Sequence, residues 1–238
     1  GAATGPAGRV APSLAYNAGG RPGLKSYHGN HCLVLPERAE GGATYIIVPS
    51  EDGQSVGRLQ AALPQGRLLA DGPLHYGEPY FVSYHVPPGA QPQIAPDHAL
   101  DANWAGQIGL LGYDLDLDPG EGRMAVRLYL QALAEMETNY TVSVQLIGPE
   151  NPATGGPLWS QDDSEPCRRY RPTSTWERGE ITVDEYALAL PADRIPGEPY
   201  ALIVGFYDWT TMERLALLDA AGRPVGDHRV LEQDVFQP

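Results

Sequence analysis

Three aspartates stand at alternate positions near the middle of the chain: Asp114, Asp116 and Asp118. Alternate residues of a β-strand share one face, so carboxylates with this spacing can converge on one cation. Calcium is the cation that such oxygen ligands favour. The pattern therefore predicts a candidate structural calcium site. The alternative is a solvated acidic edge that opposes aggregation between strands.

A polar face shared by two predicted strands is the second candidate site. Along residues 124–131 and 141–147, apolar and polar residues alternate, which predicts one buried and one solvated face for each strand. The residues of the solvated face are Arg127, Tyr129, Gln131, Ser143 and Gln145. We expect them to lie side by side across adjacent strands, where such side chains can stack on sugar rings and bond sugar hydroxyls. The alternatives are an ordinary solvated sheet surface or a surface covered by the preceding part of the chain.

Other patterns with catalytic or metal-binding potential are incomplete. His28, His31 and Cys32 have the spacing of a partial metal site, but zinc needs three or four ligands and no nearby residue completes the set. A glycosidase needs two carboxylates across a cleft, yet acids are so numerous here that some pair qualifies by chance. No serine stands in a nucleophile elbow. The sequence therefore assigns no catalytic residue.

The first part of the chain predicts a small α/β unit at residues 26–90, preceded by a flexible tail or linker at 1–25. The β-branched run 43–48 predicts a strand. Ser50, followed by two acids, predicts a helix N-terminus, because acids favour the positive end of the helix dipole. Apolar residues then recur every three to four positions until Pro64 stops the helix. Two more strands complete a β-α-β-β order.

From residue 97 to 238 the pattern changes to short strands at regular spacing, which is typical of a sandwich or barrel. The predicted strands are 108–115, 124–131, 141–147, 181–190, 200–207 and 215–218, with a final short one near 228–231. The predicted fold class is therefore mainly β, an antiparallel jelly-roll-like β-sandwich preceded by the small α/β unit. Trp104 is expected just before the first strand, and the acidic segment 162–165 in a long loop.

The net charge of −14 is unevenly distributed along the chain. Residues 1–88 carry six basic and six acidic side chains, so the whole negative charge falls after them. Binding to nucleic acid or to an anionic membrane surface needs an excess of Lys and Arg. The composition therefore argues against nucleic acid as a partner.

The two cysteines, Cys32 and Cys167, stand one in each half. They could form a disulfide in an oxidising compartment or remain free thiols in the cytosol, and sequence distance does not decide between these states. No run of 18 or more apolar residues is present, so no membrane span is expected within this chain.

Several segments of the second half resemble a module of known proteins. These segments are 102–115, 128–132, 140–146, 172–176, 190–193 and 204–208. Together they resemble the soluble β-sandwich tail of bacterial polytopic membrane proteins of the dolichyl-phosphate-mannose-type glycosyltransferase kind. The first half, with its helix stop at 63–66, is similar to the small α/β piece before that tail. The sequence departs from the pattern at Met212, where a turn glycine is expected, and at 167–169, in a segment that is usually rich in glycine.

The resemblance implies a non-catalytic, extracytoplasmic accessory domain tethered to the cell membrane in a longer protein. In that class the catalytic acid lies in an early loop between membrane spans, a region that this chain does not contain. The implied partners are the membrane portion of the same polypeptide and, as a candidate ligand, a glycan. No cofactor is expected apart from the candidate calcium.

Two further functions stay open at this point. The first alternative is a free-standing carbohydrate- or protein-binding β-sandwich of the cell surface. The other is a hydrolase in its own right, which the lack of a catalytic motif disfavours.

Overall fold

The structure is a computed structural model that describes residues 25–70, 72–75 and 77–236. The predicted tail at 1–25 thus falls, except for its last residue, outside the described residues. The chain is mainly β with antiparallel sheets, as predicted. Its strands are β1 (Cys32–Leu35), β2 (Ala43–Ile47), β3 (Arg67–Leu69), β4 (Leu74–His75), β5 (Glu78–Pro79), β6 (Val82–Val86), β7 (His98–Trp104), β8 (Ile108–Asp118), β9 (Arg123–Ala132), β10 (Tyr140–Asn151), β11 (Gly156–Ser164), β12 (Ile181–Ala189), β13 (Ala201–Asp208), β14 (Leu217–Leu218), β15 (Pro224–Gly226) and β16 (His228–Glu232). The helix α1 spans Ser55–Ala62.

Two sheets pack face to face. The large sheet has the order β1-β12-β9-β8-β7-β14-β15, and the small sheet has the order β11-β10-β13-β16. The jelly-roll detail of the prediction is not confirmed, because β7, β8 and β9 follow one another as a meander within the large sheet. A short β4–β5 hairpin stands apart from both sheets.

The core between the sheets comes from the alternating apolar residues that the sequence predicted. On β9, Leu128 and Leu130 are fully buried, and on β10 so is Val144. Trp104 and Phe206 join the two sheets, with ring centroids 4.8 Å apart in an edge-on arrangement. Each such large apolar side chain contributes roughly 1.5–3 kcal/mol through burial. Trp104 lies at the end of strand β7, not before the first strand as predicted.

Besides the short edge strand β15, two strands of the sandwich were not predicted from the sequence. The first is β7, whose side chains are mostly polar or small. The second is β11, which includes part of the acidic segment that was assigned to a loop. Among the described residues, strand β11 pairs with β10 alone, at the edge of the small sheet. Charged residues are common on such edge strands because they oppose pairing with another chain, and they hide the strand from a pattern based on apolar residues.

The helix start was also predicted at the wrong residue. Helix α1 begins at Ser55, and no acidic residue lies in its first turn. Asp52 nevertheless acts on it from outside, because its Oδ1 accepts hydrogen bonds from the backbone N–H groups of Gln54 and Ser55, at 3.1 and 2.9 Å. These N–H groups have no partner within the helix. The predicted stop is confirmed, since α1 ends at Ala62, before Pro64.

Strand β1, from the predicted α/β unit, belongs to the large sheet. It pairs with β12 from Asp184 back to Ile181. All four residues of β1 are buried, as expected for a strand that is covered on both faces. The rest of that unit, strands β2, β6 and β3 with helix α1, forms a layer that we call the cover unit.

The cover unit packs on the outer face of the large sheet. Leu59 of α1 and Tyr84 of β6 lie in one apolar cluster with Leu33 of β1 and Ile181 of β12. Val183 of β12 is partly buried against the same cluster. Part of the large sheet is therefore the middle of three layers.

Candidate ligand-binding groove

A polar groove of about 360 Å³ lies beside the end of the β1–β12 pairing. Strand β1 pairs with β12 only as far as Asp184, and in the described part of the chain no strand pairs with the following residues of β12 on that side. The backbone groups exposed there bind side chains instead. The carboxylate of Asp162 accepts a hydrogen bond from Ala187 N at 2.7 Å, and Arg168 donates one to the carbonyl of Glu185 at 3.4 Å. The groove is thus built around an unpaired strand edge.

The floor of the groove is a row of three charged side chains on neighbouring strands. Asp114 on β8, Arg127 on β9 and Glu185 on β12 lie directly across from one another. Arg127 Nη1 donates to Asp114 Oδ2 at 3.0 Å. Its Nε and Nη2 donate to Glu185 Oε1 at 3.1 and 3.0 Å. Opposite charges placed in this way stabilise the pairing of strands, and they hold the guanidinium in one orientation.

Tyr129 lies next to this row and is bound to it. Its hydroxyl donates to Asp114 Oδ2 at 2.8 Å. Burial, followed by the bond to Asp114, raises the pKa of Tyr129 to about 12. Tyr129 is therefore a neutral hydrogen-bond donor that is already committed to Asp114.

One wall of the groove is tied to the cover unit through Arg58 of α1. Arg58 Nη2 donates to Glu185 Oε1 at 2.8 Å, and its Nη1 donates to the carbonyl of Gly29 at 3.2 Å. Asn30 and His31 follow Gly29 and line the groove. A single guanidinium therefore fixes this wall against the floor.

A second wall is the short loop 167–169, which follows β11. Cys167, Arg168 and Arg169 in turn have φ values of 55°, 53° and 75°, which are unfavourable for residues other than glycine. Such conformations persist where the surroundings hold them in place. Cys167 forms a disulfide with Cys32, with Cα atoms 5.2 Å apart, so the question that the sequence left open is resolved in favour of pairing. Its backbone N–H also donates to Asp184 Oδ2 at 3.0 Å.

The side chain of Arg168 extends from this wall into the groove. It donates from Nη1 to Asp162 Oδ1 at 2.6 Å and lies over the ring of Tyr186, 5.4 Å from its centroid. The guanidinium is therefore held by a carboxylate and an aromatic face together.

Asp184 lies beneath the loop and is 1% exposed. It accepts a hydrogen bond from the Tyr186 hydroxyl at 2.6 Å as well as the one from Cys167. Burial raises the pKa of Asp184 to about 6, although these hydrogen bonds favour the charged form. Because Asp184 is enclosed, it supports the loop and does not face a ligand.

His31 stands on the rim of the groove, with its ring stacked on Tyr170 at 6.3 Å and its centroid 4.7 Å from that of His28. Desolvation lowers the pKa of His31, and the neighbouring His28 and Arg168 add to this effect. The imidazole is therefore neutral near pH 7. The partial metal site considered around it lacks a thiolate, because Cys32 is in the disulfide.

The three aspartates of the predicted calcium site have separate roles. Asp114 is held by Arg127 and Tyr129, while Asp118 Oδ1 accepts hydrogen bonds from the backbone N–H groups of the turn that follows, at 3.0 Å. Asp116 lines the groove. In the described part of the chain no group of three or more Asp, Glu, His or Cys side chains is placed to hold a metal ion. Calcium stays a prediction.

The expectation that five polar residues share one surface is wrong. Strand β9 lies in the large sheet and β10 in the small sheet, so Arg127, Tyr129 and Gln131 face away from the sandwich on one side, and Ser143 and Gln145 on the other. Ser143 is also not solvated as predicted, because it is only 2% exposed. Alternation predicts which residues face outward, but not that the chain crosses to the second sheet between two successive strands. Whether either set binds a ligand stays a prediction.

The sequence analysis did not assign Glu185, Arg168 or His31 to this groove. Glu185 was within reach of it, because it alternates outward on a predicted strand. Arg168 and His31 carried no such signal, since the disulfide and the end of β1 bring them to the groove from distant parts of the sequence.

A serine–histidine contact lies in the cover unit, away from the groove. Ser83 Oγ is 2.9 Å from His85 Nε2, and Thr44 Oγ1 is 3.1 Å from His85 Nδ1. A nucleophilic serine must be reachable by its substrate. Ser83 is 3% exposed, which disfavours that role.

None of the helices in the described ranges is long and apolar enough to cross a membrane. The sequence matches no protein-family model, and no curated protein is significantly similar to it.

Proposed function

We propose that this chain is an extracytoplasmic accessory domain that binds a glycan in the groove and does not transform it. The observation that carries this proposal is the row of Asp114, Arg127 and Glu185, fixed on three neighbouring strands at the floor of an open groove. Polar groups held in place before binding lose little conformational entropy when a ligand arrives. A sugar presents several hydroxyls that both donate and accept hydrogen bonds, which matches a floor of alternating donors and acceptors.

The disulfide supports an extracytoplasmic location. Disulfides form and persist in oxidising compartments and are rare in the cytosol. The bond between Cys32 and Cys167 also shapes the groove, because it holds the wall that carries Arg168.

The resemblance to the tail of membrane glycosyltransferase-like proteins supports the accessory role. In that setting the membrane portion of the same polypeptide is the physical partner, and this domain presents or retains a glycan near it. The alternative is a free-standing carbohydrate- or protein-binding sandwich of the cell surface. The full-length gene product separates the two, because the first predicts several apolar spans upstream and the second predicts a secretion signal without them.

A non-catalytic role is consistent with the geometry of the floor. A glycosidase leaves the space between its two carboxylates free for the scissile bond or a water molecule. Here the guanidinium of Arg127 lies between Asp114 and Glu185 and bonds to both.

Glycan-array binding with two matched variants tests the proposal. We expect Arg127→Ala to weaken binding of the glycans that the unaltered domain retains by about tenfold or more, because hydrogen bonds to charged groups are worth roughly 1.5–3 kcal/mol. Gln145→Ala, on the outer face of the small sheet, should leave binding unchanged. Since the ion pairs of Arg127 are partly exposed, the Arg127→Ala variant should lose no more than about 1 kcal/mol of folding free energy.

The proposal fails if the unaltered domain binds no glycan on the array. It also fails if Arg127→Ala, shown by circular dichroism to be folded, binds as well as the unaltered domain does. Turnover of chromogenic glycosides that is abolished by Glu185→Gln would contradict the non-catalytic part alone.

A further inference from the structure

The charges around the groove are balanced. Among the described residues, three arginines and three acids line it: Arg123, Arg127, Arg168, Asp114, Asp116 and Glu185. Two more charges stand behind them, Arg58 against Glu185 and Asp162 against Arg168. The groove is thus neutral overall, although the chain has a net charge of −14.

The two arginines at its centre are already neutralised by protein carboxylates. All three nitrogens of the Arg127 guanidinium donate to Asp114 or Glu185. Arg168 bonds to both oxygens of Asp162. An incoming carboxylate or sulfate would have to replace these partners while lying close to them, and like charges a few ångströms apart repel one another.

Arg123 does not change this balance. It is exposed at the end of β9 and lies directly across from Asp118 on β8. An anion that binds Arg123 therefore meets a neighbouring carboxylate as well.

The groups that remain free are suited to uncharged hydroxyls. Within the described residues, neither Asp116 nor Oε2 of Glu185 accepts a hydrogen bond, so each can accept one from a ligand hydroxyl. His31, neutral near pH 7, offers one ring nitrogen as a donor and the other as an acceptor. These atoms bind a polyhydroxyl ligand without requiring it to carry charge.

We infer that the groove selects uncharged saccharides over glycans that carry uronate, sulfate or phosphate groups. This inference rests on the proposed function and specifies its ligand class. Recognition then depends on hydrogen bonds between fixed, internally paired side chains and ligand hydroxyls, and long-range attraction between opposite charges plays little part.

Affinity electrophoresis with defined polysaccharides tests the inference. The probes are mannan, galactan, dextran and arabinan on the uncharged side, and polygalacturonate and heparin on the anionic side. We expect at least one uncharged probe to retard the domain about tenfold more strongly than either anionic probe. The retardation of the domain by that uncharged probe should change less than about twofold when about 0.5 M salt is added, because salt screens mainly interactions between exposed charges.

Glu185→Gln is the informative variant, with Glu150→Gln as its control. Each removes one negative charge, but only Glu185 neutralises Arg127 and Arg58. Glu150 is exposed on β10 of the small sheet. We expect Glu185→Gln to raise retardation by polygalacturonate about tenfold relative to the uncharged probe, and Glu150→Gln to change it less than about twofold.

The outcomes separate the inference from the proposed function. Stronger retardation of the unaltered domain by polygalacturonate or heparin overturns the inference and leaves glycan binding in place. An equal response of the two variants also overturns it. If no probe, charged or uncharged, retards the domain and the glycan array is blank as well, the proposed function itself fails.

Discussion

The outer faces of the two sheets follow the same sequence rule but have different surroundings. On both, polar residues alternate with core residues, as Arg127 and Tyr129 do on β9 and as Ser143 and Gln145 do on β10. The outer face of the large sheet meets the cover unit, and the groove lies where that unit ends, beside the disulfide-bound loop at the edge of β12. On the small sheet, Gln145 contacts Gln161 at 3.4 Å and Tyr207 donates to Asp163 at 3.2 Å. The comparison teaches that a polar sheet face becomes a candidate site where a second layer ends beside it.

The outward residues of β12 change from apolar to polar at the point where the cover unit ends. The outward residues of β12 are Ile181 and Val183, then Glu185 and Ala187. The first two are apolar and pack against the cover unit, whereas Glu185 is charged and belongs to the groove. On β10 the outward residues Thr141, Ser143 and Gln145 are polar, and Ile147 follows them, so the order of polar and apolar residues differs from that on β12.

The disulfide anchors the loop beside the groove, and its removal should cause the largest loss of stability among the expected changes. We expect Cys32→Ser with Cys167→Ser to lower the free energy of unfolding by about 4 kcal/mol, because the bond closes a loop between residues 135 positions apart. Chemical denaturation measures the change. The same variant should lose glycan binding, because the wall that carries Arg168 loses its anchor.

Reducing agent provides the control for this experiment. It should lower the stability of the unaltered chain to that of the double variant and leave the double variant unchanged. A loss below about 1 kcal/mol would mean that packing alone holds the loop, and the difference between the two faces would then not depend on the disulfide.

The buried carboxylate of Asp184 should produce the next largest effect, as a pH dependence. Its pKa is about 6 in the folded chain and 3.8 for the free group, so the folded state holds a proton between these values that the unfolded state has released. Its contribution to stability is therefore fully present below about pH 4 and is lost as the pH rises through 6, by roughly 3 kcal/mol.

Denaturation between pH 4 and 7 measures this effect. In Asp184→Asn the corresponding fall in stability with rising pH should be absent, while Asp116→Asn, in the groove, should keep the slope of the unaltered chain. Equal slopes for all three proteins would show that Asp184 is not held in the enclosed position beneath the loop.

A glycine in the cover unit should give the smallest effect and the opposite sign. Gly57 lies inside α1, and a Cβ atom added there meets nothing within 4 Å. We expect Gly57→Ala to raise the free energy of unfolding by roughly 0.5–1 kcal/mol, because alanine loses less conformational entropy in a helix. Thermal denaturation measures it. A stability gain without any change in glycan binding would show that the cover unit acts on the groove through its position alone.

The sequence predicted those parts of the fold in which apolar residues alternate strictly. Strands β9 and β10 were found in this way, because burial of one face imposes a period of two. Strand β11 was missed, since an edge strand gains its hydrogen bonds from one neighbour and needs little apolar surface. For the site, Arg127 and Asp114 were predicted from alternation, but as members of two separate sites. Their contact depends on the register between β8 and β9, which the sequence alone does not specify.

By itself, the sequence determined the mainly β class, the acidic second half and the outward direction of Arg127, because these follow from composition and from local periodicity. Only the tertiary structure decided that β9 and β10 lie in different sheets, that Cys32 meets Cys167, and that Arg127 lies between two carboxylates. The physical reason is the same in each case. Local periodicity fixes which face of a strand is buried, whereas the choice of neighbouring strand is made by packing between segments far apart in the chain.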